Sequence, residues 1–558
     1  MQSAQGQACC IMRGKVQYAT ILDRLAADPS AAKANARVEM RHGVLPQSRI
    51  QEKHMMKTKA QKILLPAVLI AGLGLMPAGH VAAQTFTNLY NFTNGNDGAN
   101  PYGIPYGVIL SGSTLYGTAT FGGSSGNGTV FALNTNGSGF TNLHSFARSD
   151  RATGANSDGV EPSGLILSGN TLYGTATFGG SSGNGTVFAL NTNGTGFTNL
   201  HSFTATNPMT GVNTDGANPF AGLVVSGNTL YGTACNGGGS GTGTIFALNT
   251  NGTGFTNLHS FTATNPMTGA NTDGASPFAG LIVSGNTLYG TTYNGGSSGA
   301  GTVFAVNTNG TGFTNLHSFA ALSAASPNGT NTDGAEPFAG LIVSGGALFG
   351  AASYGGSSGN GTVFVLNTNG MGFTNLHVFT ASSSSPPYGA NSDGAYPIGL
   401  ILSGKTLYGA ANSGGSSGNG TLFAVNTNGA GFANLHNFAA TNSSTGINSD
   451  GANPNAGLIF SGNTLYGTAY YGGTSADGTV FGLSLPSVSA PPLAITLAGA
   501  NIILTWPANA TGFNLQSVTN LVSRTAWNAV SPAPTVVNGQ NAVTNPVSGP
   551  VMFYRLSQ

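Results

Sequence analysis

A chain of 558 residues with 88 glycines is too long for one ordinary core, and its 16 Lys and Arg offer no basic stripe along which a phosphate backbone could lie. Eleven of those cations precede residue 84. The other five, Arg148, Arg151, Lys405, Arg524 and Arg555, stand against eleven Asp and Glu, a net charge near −6 that excludes nucleic acid as a partner. Cys235 is the one cysteine beyond that point, so no intrachain disulfide is expected there.

Residues 1–54 carry mixed charges and no repeat, and are expected to be a disordered leader or an upstream extension from a misassigned start. Residues 55–83 have the parts of a secretory signal peptide: Lys57, Lys59 and Lys62, an apolar run over 63–76, and Val81-Ala82-Ala83 as a small-residue cleavage site. The apolar run is shorter than the roughly 20 residues of a spanning helix, so no membrane anchor is expected in the mature chain, which should begin near Gln84.

From there to residue 485 one unit recurs. Its landmark GTVF, or a close variant, begins at Gly128, Gly185, Gly243, Gly301, Gly361, Gly420 and Gly478, at intervals of 57, 58, 58, 60, 59 and 58 residues. A fixed period of this length signals a repeat architecture. Within one copy, GLIVS at 280–284, TLYGTT after the Gly285-Asn286 turn, GTVFAVNT after a Gly-Gly-Ser-Ser-Gly loop, and FTNLHSF after Asn309-Gly310 read as four antiparallel strands. GTVFAVNT is apolar at odd and even positions alike, as in a strand of a sheet covered on both faces. Seven four-stranded sheets stacked face to face describe a seven-bladed β-propeller. The ends of the array are complementary: FTNLYNF at 86–92 is a fourth strand lacking three predecessors, and residues 457–485 supply three strands lacking a fourth. The N-terminal strand is therefore expected to complete the last blade.

Residues 486–492, PSVSAPP, read as a linker. Residues 493–558 form a small all-β module with a hairpin signal at Asn538-Gly539. Through Trp506 in an early strand and Tyr554 in the last, it resembles the fibronectin-type-III-like β-sandwich modules of secreted bacterial repeat proteins.

The unit G-L-I-x-S-G-N-T-L-Y-G-T, then G-G, then N-G-T-V-F-x-L-N-T-N-G-x-G-F-T-N-L-H-S-F, resembles the Gloeo/Verruco (GloVer) repeat over residues 86–485. The resemblance implies a secreted bacterial protein and brings no activity with it. The placement of Tyr173 ahead of Gly179-Gly180 is also similar to kelch propellers, with Phe197 and its equivalents where kelch has Trp.

Three polar features recur. His144, His201, His259, His317, His377 and His436, with Tyr90 in the seventh place, sit on the fourth strand, too far apart to share a metal, and are read as packing or locally hydrogen-bonded. The Gly-Gly-Ser-Ser-Gly loops lack the Lys of a phosphate loop and open no helix, so they are read as turns. Asp97, Asp158, Asp215, Asp273, Asp333, Asp393 and Asp450 each precede Gly in the connection to the next unit, six of them with Asn two residues earlier. Two readings stay open for these: Asx-turns bonding their own backbone, or calcium ligands, although one carboxylate per loop is few against the 6 to 8 oxygens calcium takes. No other cofactor is expected.

Departures from the repeat mark where a unique site would lie. The connection at 147–161 carries Arg148, Asp150, Arg151, Asp158 and Glu161, either as solvated loop charges or as a ligand site. Glu336 and Tyr396 also vary beside their Asp-Gly, and Lys405 lies in a turn on the opposite side. The expected protein is a secreted, monomeric scaffold that binds an extracellular glycan or protein without turnover. The alternative is a glycan-acting hydrolase or lyase using the Asp-bearing face. N-terminal sequencing of protein recovered from its host tests the leader: a start close to Gln84, outside the cytoplasm, is expected, and Met1 on the mature chain would refute it.

Overall fold

The computed structural model describes residues 84–103, 107–323, 329–385, 387, 389–486, 491–508, 513–519, 527–547 and 552–557. The expected leader and signal peptide, and residues 487–490 of the expected linker, lie outside them. Every regular element among the described residues is a β-strand, and none is a helix that could cross a membrane.

Seven antiparallel sheets follow one another along the repeats. In the second, the strands are Val160–Ser168, Thr171–Phe178, Thr186–Asn191 and Thr198–Ser202. Two-residue turns set the register from first to second strand, pairing Ser168 with Thr171. The third strand of each sheet is buried on both faces along almost its whole length. Its Phe lies across the Gly of TLYG: a Cβ built on Gly174 would come within 2.5 Å of Phe188 Cζ, which is why each unit keeps glycine there. The fourth strand carries a β-bulge. Asn199 and His201 pair with neighbouring residues Phe188 and Val187, leaving Leu200 as the extra residue and re-aiming the histidine.

The apolar cores lie between sheets rather than within one. Phe146 and Val130 of the first sheet pack with Leu172 and Phe188 of the second, and the same core forms between each consecutive pair. A seventh core joins the last sheet to the first, with Phe92 and Val480 against Leu115, Phe131 and Leu133. The first strands also neighbour one another in succession, and Ile459–Ser461 of the last sheet lies beside Val108–Ser111 of the first.

Strand Thr85–Asn91 pairs antiparallel with Thr479–Ser484 and completes the sheet of Ile459–Ser461 and Thr464–Ala469, as the complementary ends of the array lead one to expect. Among the strands, the first varies most between units. It spans nine residues in Val160–Ser168 and Ala395–Ser403 but three in Val224–Ser226, and in the first unit it is divided into Ala99–Pro101 and Val108–Ser111.

The C-terminal residues form two further sheets. Ala494–Ala498, Asn501–Pro507, Gln540–Pro546 and Thr535–Val537 make one, and Asn528–Ala529, Asn514–Val518 and Phe553–Ser557 the other. Trp506, Leu504, Leu515 and Val543 are buried together with Tyr554 beside them. Asn538 and Gly539 both have positive φ, 50° and 75°, the pair a type I′ hairpin turn requires.

Deleting residues 84–92 should expose the edge of Thr479–Ser484 and promote aggregation, whereas a chain lacking only 1–83 should stay soluble in the same light-scattering assay. Phe92→Ala alone, which empties a fully buried position, should lower unfolding free energy by about 3–5 kcal/mol in denaturant titrations.

Candidate functional site

The connections between sheets and the Gly-Gly loops lie on one side of the molecule. Asn156 N donates to Gly180 O at 2.9 Å and Gly180 N to Asn156 Oδ1 at 2.8 Å, binding a connection to the loop of the sheet it leads into. The two-residue turns meet at the other ends of the strands, where Thr192 N donates to Asn170 O at 2.9 Å.

Each connection is tied down by its Asp. Asp215 accepts from His201 Nε2 at 3.0 Å, from Thr204 N on both oxygens, at 3.3 and 3.1 Å, and from the Thr204 hydroxyl. The His201 ring stacks on Phe255 of the following sheet, centroids 3.9 Å apart and planes 10° from parallel. Phe255 is thus the repeat's counterpart of Phe197, which covers His144 in the same way. Six units repeat this ion pair at 2.9–3.0 Å. In the remaining unit the Tyr90 hydroxyl donates to Asp97 Oδ2 at 3.1 Å, which raises the Tyr90 phenol to about 12, through burial first and the Asp97 charge second. For Asp215, Asp273 and Asp393, burial alone would raise the carboxyl, but hydrogen bonds from the His and Thr outweigh it and hold each below the usual carboxylate range.

The Asx geometry belongs to the Asn and not to these Asp. Asn213 Oδ1 accepts from Gly216 N at 3.0 Å and Gly238 N at 2.8 Å, while its amide donates to Thr204 O and Gly216 O. The Asp instead reaches back to the end of the fourth strand, 11 residues for Asp215 and 13 for Asp333 and Asp393. Among the described residues no group of three or more His, Cys, Asp or Glu is placed to hold a metal ion.

The five charged residues of connection 147–161 do separate jobs. Arg148, Asp150 and Arg151 are exposed. Asp150 Oδ1 accepts from Ala152 N, Thr153 N and the Thr153 hydroxyl at 2.8–3.0 Å, and the Thr153 backbone bond leads in holding its carboxyl low. Asn207, Asn265 and Asn442 make the same turn in their units, so this loop is a charged version of a shared template. Asp158 is buried in its clamp with His144 at 2.9 Å. Glu161 is at the head of the next first strand with φ 57°, its N donating to Asn127 O of the preceding unit at 3.0 Å.

Glu161, Glu336 and Tyr396 stood out in the sequence, but not that they share one left-handed backbone position. Asn100, Asn218, Ser276 and Asn453 occupy it too, all between φ 53° and 58° and all followed by proline. Three of the asparagines bridge sheets: Asn100, Asn218 and Asn453 donate their side-chain amides to Tyr470 O, Thr177 O and Asn412 O at 2.9–3.0 Å. The residue after that proline points inward. Tyr102, Phe220, Phe278 and Phe338 pack with Tyr470, Tyr293 and the buried Cys235, a cluster drawn from five sheets. The X-Pro pair following every Asp-Gly was the available signal.

An all-β chain of near-identical four-stranded sheets, each tied to the next by an Asp-centred clamp, is a tandem-repeat protein. The model of the Gloeobacter/Verrucomicrobia repeat matches residues 75–270, 209–392 and 330–490, and the chain belongs to this bacterial family. None of the curated proteins matches it. Among solved structures it is similar to the computationally designed Ika8 protein, at 14% identity over 70% of this chain and 99% of that one, TM-score 0.38. It is also similar to an oligogalacturonate lyase in complex with manganese, at 13% identity over 72% and 93%, TM-score 0.39, and to the oligogalacturonate lyase of Vibrio parahaemolyticus, at 10% over 72% and 94%, TM-score 0.40. Likeness at this level says nothing about activity.

Asp215→Ala should destabilise by about 1–3 kcal/mol, because the buried carboxylate's bonds from His201 and Thr204 are lost together. The folded carboxyls of Asp215, Asp273 and Asp393 lie below an unfolded value of about 3.9. Their contribution is therefore complete above about pH 5 and is lost as pH falls through the depressed values. Unfolding free energy measured against pH should show this acid limb, shallower in Asp215→Asn.

Proposed function

We propose that the seven sheets are the blades of a closed, kelch-like β-propeller, that the C-terminal sheets form a fibronectin-III-like sandwich, and that the chain is exported through the signal peptide at 55–83. It acts outside the cytoplasm as a monomeric scaffold that binds a glycan or protein without turning it over. Seven inter-sheet cores, one of them between the last sheet and the first, support the propeller.

One observation carries the non-enzymatic reading: the acid–base pairs that recur are consumed in the fold. Each His of the six ion pairs has Nε2 on an Asp and its ring against a Phe or, for His436, against Phe86. A pair repeated in six units and locked between two sheets positions loops; it does not present a base to a substrate. Side chains on the loops are free to vary on that rigid support, as binding residues do. Arg148 and Arg151, exposed on the connection side, are the cations that the connections offer among the described residues.

A glycan array probed with the purified chain, with reducing ends and unsaturated products assayed in parallel, tests the reading. Binding without product is expected; product release would establish the hydrolase or lyase alternative. With a ligand in hand, Arg148→Ala combined with Arg151→Ala should weaken binding about tenfold, the worth of one charge-assisted hydrogen bond. Lys405→Ala, in the turn where Thr427 N donates to Lys405 O on the other side, should leave it unchanged.

A further inference from the structure

The seven equivalent positions at φ near 55° form an internal comparison. Only residues with short amide or carboxylate side chains adopt this conformation at little cost. The asparagines meet that demand and add a bond between sheets. Glutamate, serine and tyrosine cannot donate the same amide bond, yet Glu161, Ser276, Glu336 and Tyr396 occupy four of the seven copies, the last two in consecutive units. Their neighbours differ from the repeat as well. Where Asn218 has Thr177 of the preceding unit and Asn236 of its own, Glu336 has Tyr293 and Tyr354 at the corresponding places.

These four side chains meet. The Tyr293 hydroxyl donates to the Glu336 carboxylate. Tyr354 is fixed alongside through main-chain bonds with Ala335, at 2.8 and 3.0 Å. The Tyr354 and Tyr396 rings have centroids 5.0 Å apart at 46°, and all four residues are partly accessible. Burial, ahead of the Tyr293 bond, raises the Glu336 carboxyl above the usual range, as for a carboxylate lacking a compensating positive charge. Burial and then the Glu336 charge raise the Tyr354 phenol, which stays neutral with its π-face intact. Glu336 takes no part in the His–Asp ion pairs. A carboxylate among three phenol rings offers a cation both a counter-charge and aromatic faces.

We propose that Glu336, Tyr354 and Tyr396, with Tyr293 holding the carboxylate, form a site for a cationic amine: an ammonium on a small molecule or on a lysine of a protein partner. It deepens the reading of this side of the molecule as the ligand face, and rests on it. The replacement of asparagine by glutamate then trades a bond between sheets for a recognition group.

Calorimetric titration of the full chain with choline, with its neutral isostere 3,3-dimethylbutan-1-ol, and with trilysine tests this. Choline or trilysine should bind and the isostere should not; tighter trilysine assigns the ammonium to a protein partner, tighter choline to a small molecule. Glu336→Asn, the residue that three of the other copies carry, should weaken binding by roughly tenfold or more while its melting temperature stays equal or rises. Tyr396→Ala should weaken it as well. Equal binding of choline and the isostere, no binding of either cation, or undiminished affinity in a folded Glu336→Asn would overturn the proposal. If the array finds a ligand that Glu336→Asn still binds and choline does not bind, this site alone fails; if no ligand binds at all, the scaffold reading fails with it.

Discussion

Every sheet of the repeat has to be covered on both faces, and the rest of the structure follows from that requirement. The third strands are buried front and back, and a fully buried Phe such as Phe188 or Phe246 is worth about 1.5–3 kcal/mol only while a neighbouring sheet is present. A row of such sheets would leave two apolar faces open, one at each end. The core between Val480 and Leu115 removes both at once by bringing the last sheet against the first. Pro101, Pro162 and their equivalents repeat the same logic at the connections. Each proline Cδ packs where a Cβ on the preceding unit's glycine would have to be, from Gly128 with Pro162 through to Gly478 with Pro101.

With the sheets fixed by their cores, the connections have little apolar surface of their own and are held by polar bonds. The Asp clamp joins the fourth strand to the loop, and the Thr of the next third strand binds the same Asp's main chain, as Thr186 Oγ1 does to Asp158 O at 2.9 Å. A loop held at both ends can change its outer residues without moving its base. That is how Asp150 and Asn207 come to shape the same turn beside different neighbours, with Arg151 following one and Pro208 the other. Individuality is therefore found at the loop tips and at the left-handed positions before each proline, where the side chain and not the backbone differs between copies.

Much of this could be read from the amino-acid sequence, because period and pattern are local. The GTVF spacing gave seven units, two-sided apolarity gave sheets covered on both faces, and the unmatched FTNLYNF gave its place beside Thr479–Ser484. The His and Asp were each noticed, but as separate features. Their pairing spans 14 residues in most units and 16 in the two with longer connections, so no helix or strand period links them. The bulge at Leu200 that turns His201 toward Asp215 has no composition of its own. The aromatic cluster around Phe220 and Tyr102 was hidden for a related reason: its members come from five units, and no local period joins Tyr102 or Tyr470 to Phe220.

The central claim is that the two ends of the repeat array share one sheet. Thr85 and Ser484 are directly opposed in that pairing and both exposed, so Thr85→Cys with Ser484→Cys places two thiols within reach of a disulfide. Mild oxidation of the native protein, followed by proteolysis and mass spectrometry, should yield an intramolecular 85–484 cross-linked peptide in high yield, with buried Cys235 unreacted. Absence of that peptide, or its formation only between chains, would contradict the account.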